Sequence, residues 1–127
     1  MIKEQKEPMQ HLPNIDESAV VTKAYHNAFK DLGLTLDQGA NILGVGRSTL
    51  LRNVNGFDKT TKQWELQILF IRFYRSLYAL FGGDKGAMKH WFTHMNKHVR
   101  GIPKDMCFSI VGLVNINSYL DALRGKV

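Results

Sequence analysis

Residues 64–81 of this 127-residue chain carry more apolar surface than one face of a helix can hold. Trp64, Leu66, Ile68, Leu69, Phe70, Ile71, Phe73, Tyr74, Leu77, Tyr78, Leu80 and Phe81 occupy nearly the whole circumference of a helix expected over about 62–81. A helix apolar on several faces must be covered on several faces. A chain this short offers few elements for that cover. A second polypeptide is therefore expected along the helix, with Leu66, Phe70, Phe73, Tyr74, Leu77 and Tyr78 as a homodimer interface and the tyrosines on opposite sides of Arg75. Glu65, Gln67, Arg72 and Arg75 interrupt the same run and argue against a membrane span.

Ahead of it, residues 34–56, LTLDQGANILGVGRSTLLRNVNG, read as helix, tight turn, helix. That arrangement puts a short helix into the major groove of DNA. Thr35 and Gln38 stand at capping-box spacing, which satisfies two orphan amides at the first helix start. Gly39 weakens that helix. Gly44 supplies a positive φ for the turn, and Val45 and Leu50 drop apolar side chains onto the core. Gly46, Arg47, Ser48 and Thr49 form the exposed start of the second helix, whose free amides and positive dipole suit phosphate and base edges. Arg47, Arg52 and Asn53 can bond purine edges in two places, and Ser48 and Thr49 suit phosphates, so these residues with Gly46 are the candidate operator-DNA contacts. Lys59, Lys62, Arg72 and Arg75 extend the positive field or form a solvated face. The competing reading is a helix pair kept only for folding or dimerisation.

The remaining elements also read as helices. Residues 1–14 are polar, contain Pro8 and Pro13, and are expected to form a flexible arm without the apolar core of a signal peptide. A first helix is expected from Asp16 or Ser18 to about Leu32, with Val20 or Val21, Ala24, Ala28, Phe29 and Leu32 inward and Gly33 as its cap. Gly56 is expected to end the third helix. Past Gly82 and Gly83, a helix over about 84–94 turns Ala87, Met88, Trp91 and Met95 inward. Pro103 opens a short helix reaching about Phe108. After a turn near Gly112, a last helix presents Leu113, Ile116, Tyr119, Leu120 and Leu123, and Gly125 caps it. No segment alternates as a strand does. The expected fold is all-α, divided into an arm (1–14), a helix-turn-helix part (15–61) and a smaller C-terminal helical part (62–127).

The net charge of +6 favours an anionic partner. One cysteine, Cys107, cannot form an internal disulfide, which points to a reducing cytoplasm. Cys107 reads as a small buried apolar residue. His90, His94 and His98 are spaced four apart, but no thiol or carboxylate completes a metal set, so surface or interface roles are expected and no metal or cofactor is assigned. No Gly-rich phosphate loop, paired acids or nucleophile with a nearby base suggests catalysis.

Ala40, Leu43, Gly44, Val45, Arg47, Ser48, Thr49, Leu50 and Arg52 make the first half similar to the Xre or Cro-like helix-turn-helix group. Phe81-Gly82, Asp84, Ala87, Trp91, Asn96, Gly101, Pro103, the 111–123 helix and Arg124-Gly125 make the second half resemble the toxin-binding domain of Xre/MbcA/ParS-type antitoxins. The resemblance implies a non-enzymatic type II antitoxin whose partner is a RES-domain toxin that consumes NAD or uses it for ADP-ribosylation. It implies toxin contact through the C-terminal part, at Trp91, Arg100, Leu120, Leu123, Arg124, Gly125, Lys126 and Val127, with the chain end near the toxin's active site. Many members of that family also repress their own operon, and with the apolar helix a homodimer inside a toxin–antitoxin hetero-oligomer is expected. Either the terminal carboxylate fills a pyrophosphate subsite or Arg124 pairs with an acidic catalytic group. Without the resemblance, the same end reads as a capped, frayed terminus. The alternative function is a stand-alone repressor with a helical dimerisation domain.

Overall fold

The structure is a computed structural model that describes residues 16–125. The arm expected over 1–14 and the tail residues Lys126 and Val127 lie outside the described residues. The chain runs through α1 (Glu17–Asp31), α2 (Leu36–Ile42), α3 (Arg47–Arg52), α4 (Lys62–Leu80), α5 (Lys85–Thr93), α6 (Pro103–Met106) and α7 (Ile110–Leu123). Among the described residues no strand forms, and the single extended pairing joins Asn96 to Gly101. The all-α expectation holds.

Short polar side chains start most of these helices. Asp16 accepts the amides of Ser18 and Ala19 at α1, and Thr61, Asp84 and Ser109 do the same for α4, α5 and α7. Thr35 and Gln38 form the anticipated reciprocal box at α2. Each such bond satisfies an amide that has no partner inside its helix.

The fold is organised around α4. Phe70, Phe73 and Leu77 are fully buried, as are the polar Gln67 and Ser76. Helix α1 covers one side. Its Tyr25 ring stands edge-on to Phe70 at 5.5 Å, and the Gln67 amide donates to the Thr22 hydroxyl at 3.1 Å. Helix α7 covers another side with Leu113, Ile116 and Leu120, while the Asn117 amide donates to the Leu69 carbonyl at 3.1 Å. Helix α5 adds Phe92, 5.8 Å from Phe73.

This cover corrects the anticipated dimer interface. Phe70, Phe73 and Leu77 are enclosed by the chain's own helices and cannot touch a second copy. Of that set only Leu66, Tyr74 and Tyr78 keep any surface. Tyr74 and Tyr78 stand before and after Arg75 along α4, and their rings lie 6.1 Å apart, as four-residue spacing on a helix requires.

Other corrections are local. Of the pair Val20 or Val21, Val20 is 57% exposed and Val21 is partly buried; Ala28, Phe29 and Leu32 face inward as expected, joined by Thr22 and Tyr25. Met95 points outward because His94 leaves the helix in an extended conformation and throws the next residue off the stripe. Phe92, not anticipated, takes its place in the core. Helix α3 ends at Arg52, short of Gly56, as Asn53 turns out of helical geometry. Helix α6 stops at Met106, before Phe108. Gly112 lies inside α7 rather than in a turn, and a Cβ there would stand 2.1 Å from the Met106 carbonyl oxygen. The glycine is what lets α6 and α7 meet.

Gly39 has a comparable role. Its carbonyl accepts the Tyr25 hydroxyl at 2.6 Å, and a Cβ at this position would stand 2.6 Å from a carbon of the fully buried Phe29 ring. The residue that weakens α2 by propensity is the one that lets α2 lie on α1. Gly39→Ala is expected to destabilise the protein by about 1–3 kcal/mol despite alanine's helix preference. Gly46→Ala, with open space at its Cβ, is expected to change stability little. Urea unfolding of both variants, with the slope held constant, checks the contrast.

Candidate functional site

Two surfaces collect the residues singled out in the sequence. The first is α3 with its leading turn. Gly46, Arg47, Ser48 and Arg52 are exposed there, while Leu50 anchors the helix in the core. Thr49 and Asn53 are less available than the sequence suggested. The Thr49 hydroxyl accepts from Arg52 at 3.3 Å, and the Asn53 amide donates to the Thr49 carbonyl at 2.6 Å. Asn53 therefore closes its own helix, and its amide is not free to read a base. Gln63 donates to the Leu43 carbonyl at 3.4 Å, tying the turn between α2 and α3 to the start of α4.

The second surface lies at the end of α7. Leu120 is fully buried, so it supports α7 from beneath and offers nothing to a partner, a correction to its anticipated contact role. Leu123 is half exposed. Arg124 is not loose: its guanidinium donates to the Ser76 hydroxyl on α4 at 3.0 Å. Gly125 follows with φ +73°, turning the chain off the helix axis. Trp91 is half-buried with its ring 6.1 Å from Phe73, so part of it belongs to the core.

Arg100 is exposed and holds φ +61°, the one positive value at a non-glycine among the described residues. A turn closed on Asn96 imposes it. The Asn96 carbonyl accepts from Arg100 at 2.9 Å, and its side chain accepts from His98 and Val99. His98 stacks on Tyr119 of α7, ring centres 5.6 Å apart. An arginine held in the left-handed region costs of order 1 kcal/mol or more, and such strain persists only where the surroundings enforce it.

Between α4 and α7 runs a groove of about 610 Å³ that the sequence reading missed as a unit. Ile68, Ile71, Arg72, Arg75, Ser76 and Ala79 line one wall, and Asp121 and Arg124 the other. Arg72 is ion-paired with Asp121. The sequence signal was present as two polar pairs spaced three apart, Arg72 with Arg75 and Asp121 with Arg124. Nothing in the linear order says that the two pairs face each other.

The perturbed titratable groups do not converge on a reaction centre. Burial raises Tyr25, whose hydroxyl is spent on Gly39. Burial, followed by the bond to Asp31, pushes Tyr74 up to about 12. Burial and the nearby Lys30 lower His26. Burial and the Asp105 charge push the Cys107 thiol up to about 12. His90 and His94 stack at 3.9 Å, with the His94 Nδ1 atom 2.7 Å from the His90 carbonyl. Among the described residues, no group of three histidine, cysteine or acidic side chains is placed to hold a metal ion.

The end of α7 and the charged groove beside it are the two features that lie within or next to one matched stretch of the chain. Residues 76–126 match the family model of the antitoxin Xre/MbcA/ParS C-terminal toxin-binding domain. The resemblance drawn from the sequence is borne out over that stretch. The match opens at Ser76, inside α4, and covers α5, α6, α7 and Arg124. No curated protein matches the chain. No helix among the described residues is long and apolar enough to cross a membrane.

Cys107 is 1% exposed and its thiol donates to the Lys104 carbonyl. The thiolate is the reactive form, so the native protein is expected to resist a disulfide reagent at pH 8 and to react fully once unfolded in guanidinium. Rapid stoichiometric labelling of the native chain would contradict this placement.

Proposed function

We propose that this protein is the antitoxin of a type II toxin–antitoxin pair, that its partner is a RES-type toxin that consumes NAD, and that it acts in the cytoplasm without enzymatic activity of its own. The observation that carries the antitoxin reading is the match of residues 76–126 to a toxin-binding domain. The choice of a RES toxin rests on the resemblance of the sequence from about Asp16 onward to Xre/MbcA/ParS antitoxins. Neutralisation proceeds by occlusion. Leu123, Arg124 and Gly125 are the described residues of the proposed plug, which also takes in Lys126 and Val127, and Trp91 and Arg100 complete the proposed toxin contacts. A homodimer within the hetero-oligomer would use the exposed parts of Leu66, Tyr74 and Tyr78. The proposed division into parts is 15–61 for DNA and 62–127 for toxin, with one continuous core beneath both.

Coexpression with a RES-domain toxin tests the occlusion step. The full chain is expected to restore growth and cellular NAD. A version ending at Leu123 is expected to fold, by circular dichroism, yet leave NAD depleted. Full neutralisation by the shortened chain would remove the plug.

The same protein represses its own operon through α3. The exposure of Gly46, Arg47, Ser48 and Arg52 supports this, and Thr49 and Asn53 contribute by shaping the helix end. Arg47→Glu combined with Arg52→Glu is expected to abolish the operator gel shift without unfolding the chain. If about six phosphates are neutralised, log K for the unaltered chain falls against log salt with a slope near −5. An unchanged gel-shift affinity in the double variant would leave the helix pair a purely structural role.

A further inference from the structure

We infer that the groove between α4 and α7 is a docking site for an acidic segment of the toxin, with Arg75 as its principal anchor; this rests on the antitoxin reading above. The groove holds three arginines against the single carboxylate of Asp121, which leaves a net of two positive charges in one cleft. Two of the arginines are already engaged. Arg72 is clasped to Asp121, and Arg124 is fixed to the buried Ser76 hydroxyl. Arg75 is exposed and makes no ion pair with any described residue, although it lies in the same wall. The engaged pair holds the cleft's shape, and Arg75 is the donor left to spend. Its planar fork matches a carboxylate in two bonds.

Charge decides among the possible occupants. A second copy of this chain would bring the same positive excess into contact with itself, and like charges brought together at an interface are costly. An acidic segment complements the cleft. The wall also carries Ile68, which is 40% exposed, together with Ile71 and Ala79. An apolar floor beside the arginines suits a peptide with mixed apolar and acidic side chains better than a phosphate backbone, which offers no apolar contact at this spacing. The cleft also adjoins the matched stretch. Ser76, Ala79, Asp121 and Arg124 belong to the toxin-binding match, and Arg75 stands immediately before it. A toxin seated over the chain end therefore reaches this groove without a second interface.

The test is titration of a purified RES-domain toxin into the full-length chain, with duplex operator DNA and sedimentation equilibrium run in parallel. Arginine anchors in a desolvated contact are among the costliest to remove, so Arg75→Glu is expected to weaken toxin binding about tenfold or more. Arg75→Lys is expected to lose less, since it keeps the charge and loses the fork. Ile68→Ser, on the apolar wall, is expected to weaken toxin binding as well. Melting curves of all three should match the unaltered protein, because both side chains are exposed. Toxin affinity unchanged by both Arg75→Glu and Ile68→Ser would overturn the groove and leave the antitoxin reading intact. So would a loss confined to DNA binding or to self-association. Failure of the unaltered chain to bind the toxin at all would overturn both.

Discussion

Burial of α4 between α1 and α7 is the interaction on which the rest of this structure depends. Each fully buried phenylalanine or leucine contributes about 1.5–3 kcal/mol relative to its exposed state, and Phe70, Phe73 and Leu77 are all enclosed. Those contacts fix α1, and through α1 they fix the α2–α3 pair. Tyr25 makes the link concrete: its ring meets Phe70 on α4, and its hydroxyl bonds the Gly39 carbonyl on α2. On the other side, Asn117 pins α7 to the backbone of α4 at Leu69. The proposed DNA-contacting helix and the toxin-binding stretch therefore share one core.

That sharing gives the two proposed activities a common mechanical basis. The family match begins partway along α4, the helix that packs against both α1 and α7. Asp31, at the end of α1, receives both the Tyr74 hydroxyl and the Lys85 ammonium. The C-terminal part is thus tied to the N-terminal part by polar contacts as well as by packing. In the proposed complex, a toxin seated on α7 or on the groove meets a surface backed by the helix that also packs on α1. A pre-organised surface has less freedom to lose when it binds, which suits the proposed inhibitor role.

Much of the fold was legible in the sequence. The caps at Asp16, Thr35 and Asp84, the proline at Pro103 and the apolar runs are local signals, and local signals place helices well. The misses share a physical cause. Whether Gly39 is a weakness or a fit depends on the Phe29 ring, which is distant in sequence and adjacent in space. Gly112 read as a turn because a glycine in sequence shows only conformational freedom, whereas its use here is the space it leaves for Met106. Met95 fell off its stripe because a helix end is set by the last residue that keeps helical geometry, which periodicity alone does not reveal. Of the candidate site, the exposed arginines of α3 and the chain end were readable, but the arginine groove was not. Its walls come from α4 and α7, and its charge balance exists only once those helices lie side by side.

The amino-acid order by itself determined the helical class, where most helices begin, the positive charge and the resemblance of the second half to a toxin-binding domain, because capping, periodicity and motif are properties of neighbouring residues. Tertiary structure alone decided which apolar side chains of 64–81 are spent inside the molecule. A helix that is apolar all round does not announce its cover. The approach of α1, α5 and α7 turned Phe70, Phe73 and Leu77 from an expected intermolecular surface into core, and left Arg75 in an open cleft.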